Sequence, residues 1–176
     1  MKNHKVIQEI ILLVALISIT LIISCSKSNI YNRQALAHER KGELDKAIED
    51  YNMAINLNPK MFEAFYNRGL VYIKKSEFDQ ALVDFNKAIE INPKYSKAYY
   101  GRGLVYSKKG DFDKAIENYN KAIELNPKFS DAIYNRGLVY TDKNEWEKAI
   151  VDYNKAVEID IKYAVRVKTF FRRPFW

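Results

Sequence analysis

Residues 66–72 read YNRGLVY, the same seven letters return at 134–140, and YGRGLVY stands at 100–106. The copies follow one another at a fixed interval of 34 residues. An interval of this size marks a repeat whose unit is one supersecondary structure. Extended in both directions, it divides the chain into four units, 28–61, 62–95, 96–129 and 130–163. Each unit opens with an apolar-periodic stretch. A small or polar break follows at Gly42, Ser76, Gly110 and Asn144, where a left-handed backbone suits a tight turn. A second amphipathic stretch carries Ala47, Ala81, Ala115 and Ala149, then Ala54, Ala88, Ala122 and Ala156 seven residues later. Three units close on Asn58-Pro59, Asn92-Pro93 and Asn126-Pro127, where proline stops the helix.

The apolar spacing is helical. Over 81–91, the residues Ala81, Leu82, Phe85, Ala88 and Ile89 follow the i, i+3/i+4, i+7 rule. Each unit therefore predicts a helix–turn–helix hairpin. Paired alanines let its two helices approach closely, and Tyr51, Phe85, Tyr119 or Tyr153 fills the space beside them.

This pattern resembles the tetratricopeptide repeat, whose period is 34. Phe65, Gly69, Tyr72, Ala81, Phe85, Ala88 and Pro93 carry the resemblance in the second unit. Tyr99, Gly103, Tyr106, Ala115, Tyr119, Ala122 and Pro127 carry it in the third, and Ile133, Gly137, Tyr140, Ala149, Tyr153 and Ala156 in the fourth. The first unit keeps Tyr31, Ala47, Tyr51, Ala54 and Pro59, but has Ala35 for the glycine and His38 for the tyrosine. The fourth has Ile161 where proline belongs. The resemblance implies an all-α, right-handed superhelical solenoid of four hairpins. Gly69, Gly103 and Gly137 then sit where a larger side chain would hold helices apart, and Tyr72, Tyr106 and Tyr140 belong to the packing.

The same resemblance assigns the remaining heptapeptide positions to a concave, peptide-binding groove. That groove receives Tyr66, Tyr100 and Tyr134, with Asn67 and Asn135, and Leu70, Leu104 and Leu138; Lys74 and Lys108 edge it. Tyrosine offers contact area at low entropy cost plus a hydroxyl, and asparagine can bond peptide backbone as donor and acceptor. The expected partner is a protein or peptide; the competing reading is a spacer that merely repeats a consensus. Relatives that bind chaperones hold a peptide's terminal carboxylate with Lys, Asn and Arg. Here those places carry Tyr66 and Tyr100, Leu70 and Leu104, and Gly101, with only Asn67 and Lys97 fitting, so that clamp is rejected.

Upstream, the basic residues Lys2 and Lys5 precede an apolar run from Ile10 to Ile23. A membrane-spanning helix needs about 20 apolar residues, and this shorter run better fits the apolar region of a secretory signal. Ile22-Ile23-Ser24-Cys25 resembles the lipobox of bacterial lipoproteins, and Cys25 is the only cysteine of the chain. The resemblance implies a signal over 1–24, lipidation at Cys25, a short linker over 25–27, and a lipid-anchored protein of the cell envelope. In a diderm, Ser26 after the cysteine points to the outer membrane. The alternative is an uncleaved single-pass anchor.

The chain is 48% hydrophobic and 29% charged, a globular composition for its 176 residues. Its net charge of +7 is concentrated at the ends, with Arg166, Lys168, Arg172 and Arg173 in the tail. The repeats are nearly balanced, so the charge is poor support for a nucleic-acid-binding domain. A lone cysteine excludes an internal disulfide framework. Cys25, His4 and His38 offer no metal cluster and no Cys–His pair, and no cofactor is expected. His38 reads as a boundary histidine. Carboxylates such as Glu49-Asp50 lie among lysines on solvated helix faces, and no phosphate loop or nucleophile motif is present. The chain reads as a non-enzyme.

The tail, 164–176, is AVRVKTFFRRPFW. Alternation of Val165, Val167 and Thr169 with Arg166 and Lys168 predicts strand rather than helix, and Pro174 blocks a continued helix. Three readings stand: the tail covers the solenoid's end with Phe170, Phe171 and Trp176, it has no selected role, or it binds an anionic surface. The last is the alternative function, in which the basic aromatic tail associates with anionic membrane or nucleic acid and the repeats are a spacer.

Overall fold

The computed structural model describes residues 2–171, with side chains over 8–168. Its elements, in order, are α1 (Lys2–Arg40), α2 (Leu44–Leu57), α3 (Phe62–Lys74), α4 (Phe78–Ile91), α5 (Ser96–Lys108), α6 (Phe112–Leu125), α7 (Ser130–Asp142), α8 (Trp146–Ile159) and α9 (Lys162–Phe171). No strand occurs among the described residues. Helices α1/α2, α3/α4, α5/α6 and α7/α8 pair as antiparallel hairpins, and each hairpin packs its second helix on the first helix of the next. The result is an all-α superhelical solenoid, as expected.

The turns follow the backbone chemistry anticipated for them. Gly42 and Gly110 have φ of 78° and 77°, and Ser76 and Asn144 adopt the same left-handed region at 61° and 60°. The chain then closes each first helix with paired bonds. Ser76 N donates to Ile73 O at 3.0 Å and Glu77 N to Tyr72 O at 2.8 Å, with the same pattern at Asn144 and Glu145. This is the Schellman arrangement, which satisfies carbonyls the helix leaves unbonded.

Burial explains the alanines. Ala47, Ala54, Ala81, Ala88, Ala115, Ala122 and Ala156 are fully buried, and Tyr51, Phe85 and Tyr119 are buried with them. The glycines of the heptapeptide face these rings. A Cβ at Gly69 would lie 2.7 Å from the Phe85 ring, one at Gly103 2.7 Å from Tyr119, and one at Gly137 2.9 Å from Tyr153. The close neighbour is thus the aromatic of the partner helix pressing on bare backbone.

The arginine of the heptapeptide, unassigned in the sequence reading, joins consecutive units. Arg68 donates from Nε and Nη2 to the two oxygens of buried Asp84, at 2.8 and 2.6 Å, and from Nη1 to Asn52 of the preceding unit. Arg136 repeats this with Asp152 and with Asn120. Arg102 meets Asn118 and Asn86. Each arginine reaches 16 residues forward and 16 back, so one side chain ties two hairpins. A second set runs along the turns, from Lys75 to Asp45, Lys109 to Asp79 and Lys143 to Asp113, at 2.7, 2.8 and 2.5 Å.

Two expectations are corrected. The stretch 25–27, expected as a short linker, is helical, because α1 runs unbroken from the apolar segment into the first hairpin. Ser28 is fully buried and donates to Cys25 O at 2.8 Å, while Ser24 Oγ donates to Leu57 O at 2.8 Å, so α2 holds this part of the helix. The start of the tail is helix, not strand. Asp160 takes the place of the asparagine in Asn-Pro, and its Oδ1 accepts from Lys162 N at 3.0 Å, as Asn58, Asn92 and Asn126 accept from Lys60, Lys94 and Lys128. The turn forms without proline. Tyr163 is then buried against α7, and this docking overrides the local alternation. Phe170, Phe171 and Trp176, named above as covering residues, lie outside the described side chains; among the described residues Tyr163 packs over the last hairpin.

Candidate peptide-binding groove

The first helices of successive units, α1, α3, α5 and α7, touch one another, whereas the second helices have no comparable mutual contact. The first helices therefore line the inner, concave side. On that side the tyrosines of the heptapeptide form a row, each half-buried and each held between two rings. Tyr66 lies 5.9 Å from Phe85 and 5.4 Å, edge-on, from Tyr95. Tyr100 lies 6.0 Å from Tyr119 and 5.0 Å from Phe129. Tyr134 lies 5.5 Å from Tyr153 and stacks on Tyr163 at 4.5 Å. One neighbour comes from the unit's own second helix and the other is the last residue of the unit, where the chain enters the following helix. Such rings are positioned before any ligand arrives, which lowers the cost of binding.

The tyrosine hydroxyls share this space with two carboxylates. Burial, with Asp131 and Glu39 nearby, pushes Tyr66 up to about 12. Burial and Asp131 also raise Tyr100. Asp131 Oδ1 accepts from the Tyr163 hydroxyl, and Lys162 Nζ stands 3.4 Å from it. Asn135 donates from Nδ2 to the Tyr100 hydroxyl at 3.2 Å and to Asp131 O at 2.8 Å, so it orders the groove wall. Asn67 is half-buried on α3. In the third unit Gly101 replaces this asparagine, and a Cβ there would approach the Phe85 ring to 2.5 Å.

The other expected groove residues divide. Leu70 and Leu104 pack partly buried against the Phe85 and Tyr119 clusters, and Leu138 is half-buried on α7. Lys74 is drawn to Glu39 at 2.7 Å, whose other oxygen accepts from Tyr51 OH at 3.3 Å; Lys108 is exposed at the edge. Asp131, Glu39, Tyr95 and Tyr163 were missed by the sequence reading. Tyr163 had a signal, since it stands in 34-residue register with Met61, Tyr95 and Phe129.

Cys25 is exposed on α1. The apolar residues before it are bare: Leu12, Leu21 and Ile22 are 63, 65 and 68% exposed. The span 8–40 is long and apolar enough to cross a membrane, a test that a signal sequence also passes. No group of metal-ligating side chains occurs among the described residues.

A tetratricopeptide repeat family model matches residues 62–95, 96–129 and 130–163, and a second model for the same repeat matches 35–76. A comparison with curated proteins found no match. Among solved structures, the crystal structure of MamA is 32% identical, with a TM-score of 0.69, covering 78% of this chain and 80% of that one. MamA from Desulfovibrio magneticus RS-1 is 24% identical with a TM-score of 0.67, covering 77% and 76%. The first tetratricopeptide domain of Spaghetti, solved with an HSP90 peptide, is 23% identical with a TM-score of 0.65, covering 68% and 95%. The last two establish likeness of fold.

Proposed function

Since the chain belongs to the tetratricopeptide repeat family, we propose that it is a membrane-anchored, non-enzymatic scaffold that binds a protein partner through its concave face. The carrying observation is the row of Tyr66, Tyr100 and Tyr134, each fixed between two rings yet partly open to solvent. Aromatic side chains of this kind dominate binding energy at interfaces. Asn67, Asn135, Leu70, Leu104 and Leu138 complete the contact surface, with Lys74 and Lys108 at its edge. Of the carboxylate-clamp places only two, Asn67 and Lys97, hold a fitting residue, and the rest hold tyrosine, leucine and glycine, so the groove is read as taking an internal segment of its partner rather than a terminal carboxylate.

The anchor is the exposed apolar run of α1. We read Cys25 as its lipidated end, after cleavage of 1–24, which places the repeats on the outer face of a bacterial membrane, in envelope assembly or secretion. An uncleaved helix is the other form of the same anchor. Mass spectrometry of the mature protein separates them, because an acylated peptide beginning at Cys25 appears only in the first case.

Crosslinking in native cells tests the groove. Protein partners captured by the wild type are lost from a variant with Tyr66→Ala, Tyr100→Ala and Tyr134→Ala whose helicity is intact. Identical partner lists overturn the groove reading.

A further inference from the structure

The apolar part of α1 leaves the solenoid at one defined edge. Ser24 bonds the last carbonyl of α2, and Ser28 is buried where the first hairpin begins. The turns that close each unit, 58–61, 92–95 and 126–129, lie on this same edge, since each joins the end of a second helix to the start of a first helix. At the same place in each turn stands an exposed lysine: Lys60, Lys94 and Lys128.

These lysines differ from those on the opposite turns. Lys75, Lys109 and Lys143 are each bound to an aspartate of the preceding hairpin. The ammonium groups of Lys60, Lys94 and Lys128 make no ion pair among the described residues. Their asparagine neighbours are occupied by backbone amides and are neutral. The charge excess survives the acids of the edge: Glu90, Glu124 and Glu158, in the last turns of α4, α6 and α8, are bound by Lys87, Lys121 and Lys155, Lys97 offsets Glu63, and Lys162, at the equivalent place in the last turn, is taken up by Asp131 and Asp160.

We propose that this edge is a membrane-facing surface, and that Lys60, Lys94 and Lys128 lie against the phosphates of anionic lipids. The proposal rests on the anchoring reading above. It holds for either anchor, because an acylated Cys25 and an uncleaved α1 bring the same edge to the bilayer. In the uncleaved form the continuous helix gives the solenoid little freedom to swing away, and in either form each basic residue near an anionic surface strengthens the contact. The twist of the solenoid turns successive units away from the first, so engagement falls from Lys60 to Lys128.

The test needs no substitution. The full chain is incorporated into vesicles of phosphatidylcholine alone, or with a third phosphatidylglycerol, and floated on a density gradient. Floated protein is treated with a membrane-impermeant amine-acetylating reagent, and each lysine is read by mass spectrometry. Lys60 and Lys94 should lose roughly fivefold of their reactivity in the anionic vesicles, with Lys128 losing less. Lys75, Lys109 and Lys143 should react alike in both. Protein that floats but shows no composition-dependent protection of Lys60 and Lys94 overturns the edge inference and leaves the anchor standing. Protein that floats with neither vesicle overturns the anchor itself.

Discussion

At the scale of single residues, the repeat lets the chain serve as its own control. Positions 39, 73, 107 and 141 hold Glu, Ile, Ser and Thr, and the ring each meets is Tyr51, Phe85, Tyr119 and Tyr153. Where the ring carries a hydroxyl, the residue twelve before it is polar, and two of the three hydroxyls are bonded to it, the buried Tyr119 hydroxyl having no hydrogen-bond partner among the described residues. Tyr51 OH donates to Glu39 at 3.3 Å, and Thr141 Oγ1 lies 2.8 Å from Tyr153 OH. Where the ring is phenylalanine, the facing residue is Ile73, packed in the same apolar cluster. Burying a hydroxyl without a partner costs about 1–3 kcal/mol. Phe85→Tyr should therefore destabilise the protein by that amount in urea unfolding. Adding Ile73→Thr should recover most of the loss, although Ile73→Thr alone is itself destabilising. A double variant whose loss equals the sum of the two single losses would show that the positions are not coupled.

At the scale of elements, α9 behaves as the first helix of a further unit and closes the stack. Repeats exchange contacts only with neighbours, so a terminal hairpin is stable only if its outer face is covered. Tyr163 supplies that cover by stacking on Tyr134 and bonding Asp131. Tyr163→Ala should cost about 3 kcal/mol, as buried aromatic truncations do. The loss should appear in hydrogen exchange as early opening of α7 and α8, with α3 and α4 unchanged; uniform loss would argue against a cap. The eight helices of the repeats were legible because period, break and proline all fell on one 34-residue grid. The tail was misread because Val165, Val167 and Thr169 alternate locally, whereas the helix is fixed by Asp160 and Tyr163, which keep the grid. The linker at 25–27 followed from the lipobox resemblance alone, and nothing local to Cys25 shows that Leu57 is brought beside Ser24. The groove tyrosines could be named from the repeat, but Asp131 and Glu39 could not. Their place depends on how hairpins are arranged, and of the residues in register with Asp131, Glu63 keeps the charge while Lys97 reverses it.

At the scale of the whole molecule, that arrangement gathers phenols around carboxylates, and stability acquires a pH dependence. Tyr66 and Tyr163 are each pushed up to about 12, chiefly by burial, and Tyr95 and Tyr100 are raised for the same reason. In an unfolded chain a tyrosine ionises near 10. The unfolded state therefore releases its protons first as pH rises. The stability these groups contribute is fully present below about pH 10 and is lost as pH climbs through their folded values. Acidification through neutral pH does not touch it. Lysines held by carboxylates, such as Lys75 and Lys162, titrate in the same alkaline range, so a falling curve by itself does not assign the cause. Tyr66→Phe does, because it removes one titrating hydroxyl and keeps the ring between Phe85 and Tyr95. Urea midpoints measured between pH 9 and 12 should fall less steeply for Tyr66→Phe than for the wild type, and the two should converge near neutrality. Parallel curves would place the alkaline weakness in the ion-paired lysines rather than in the groove.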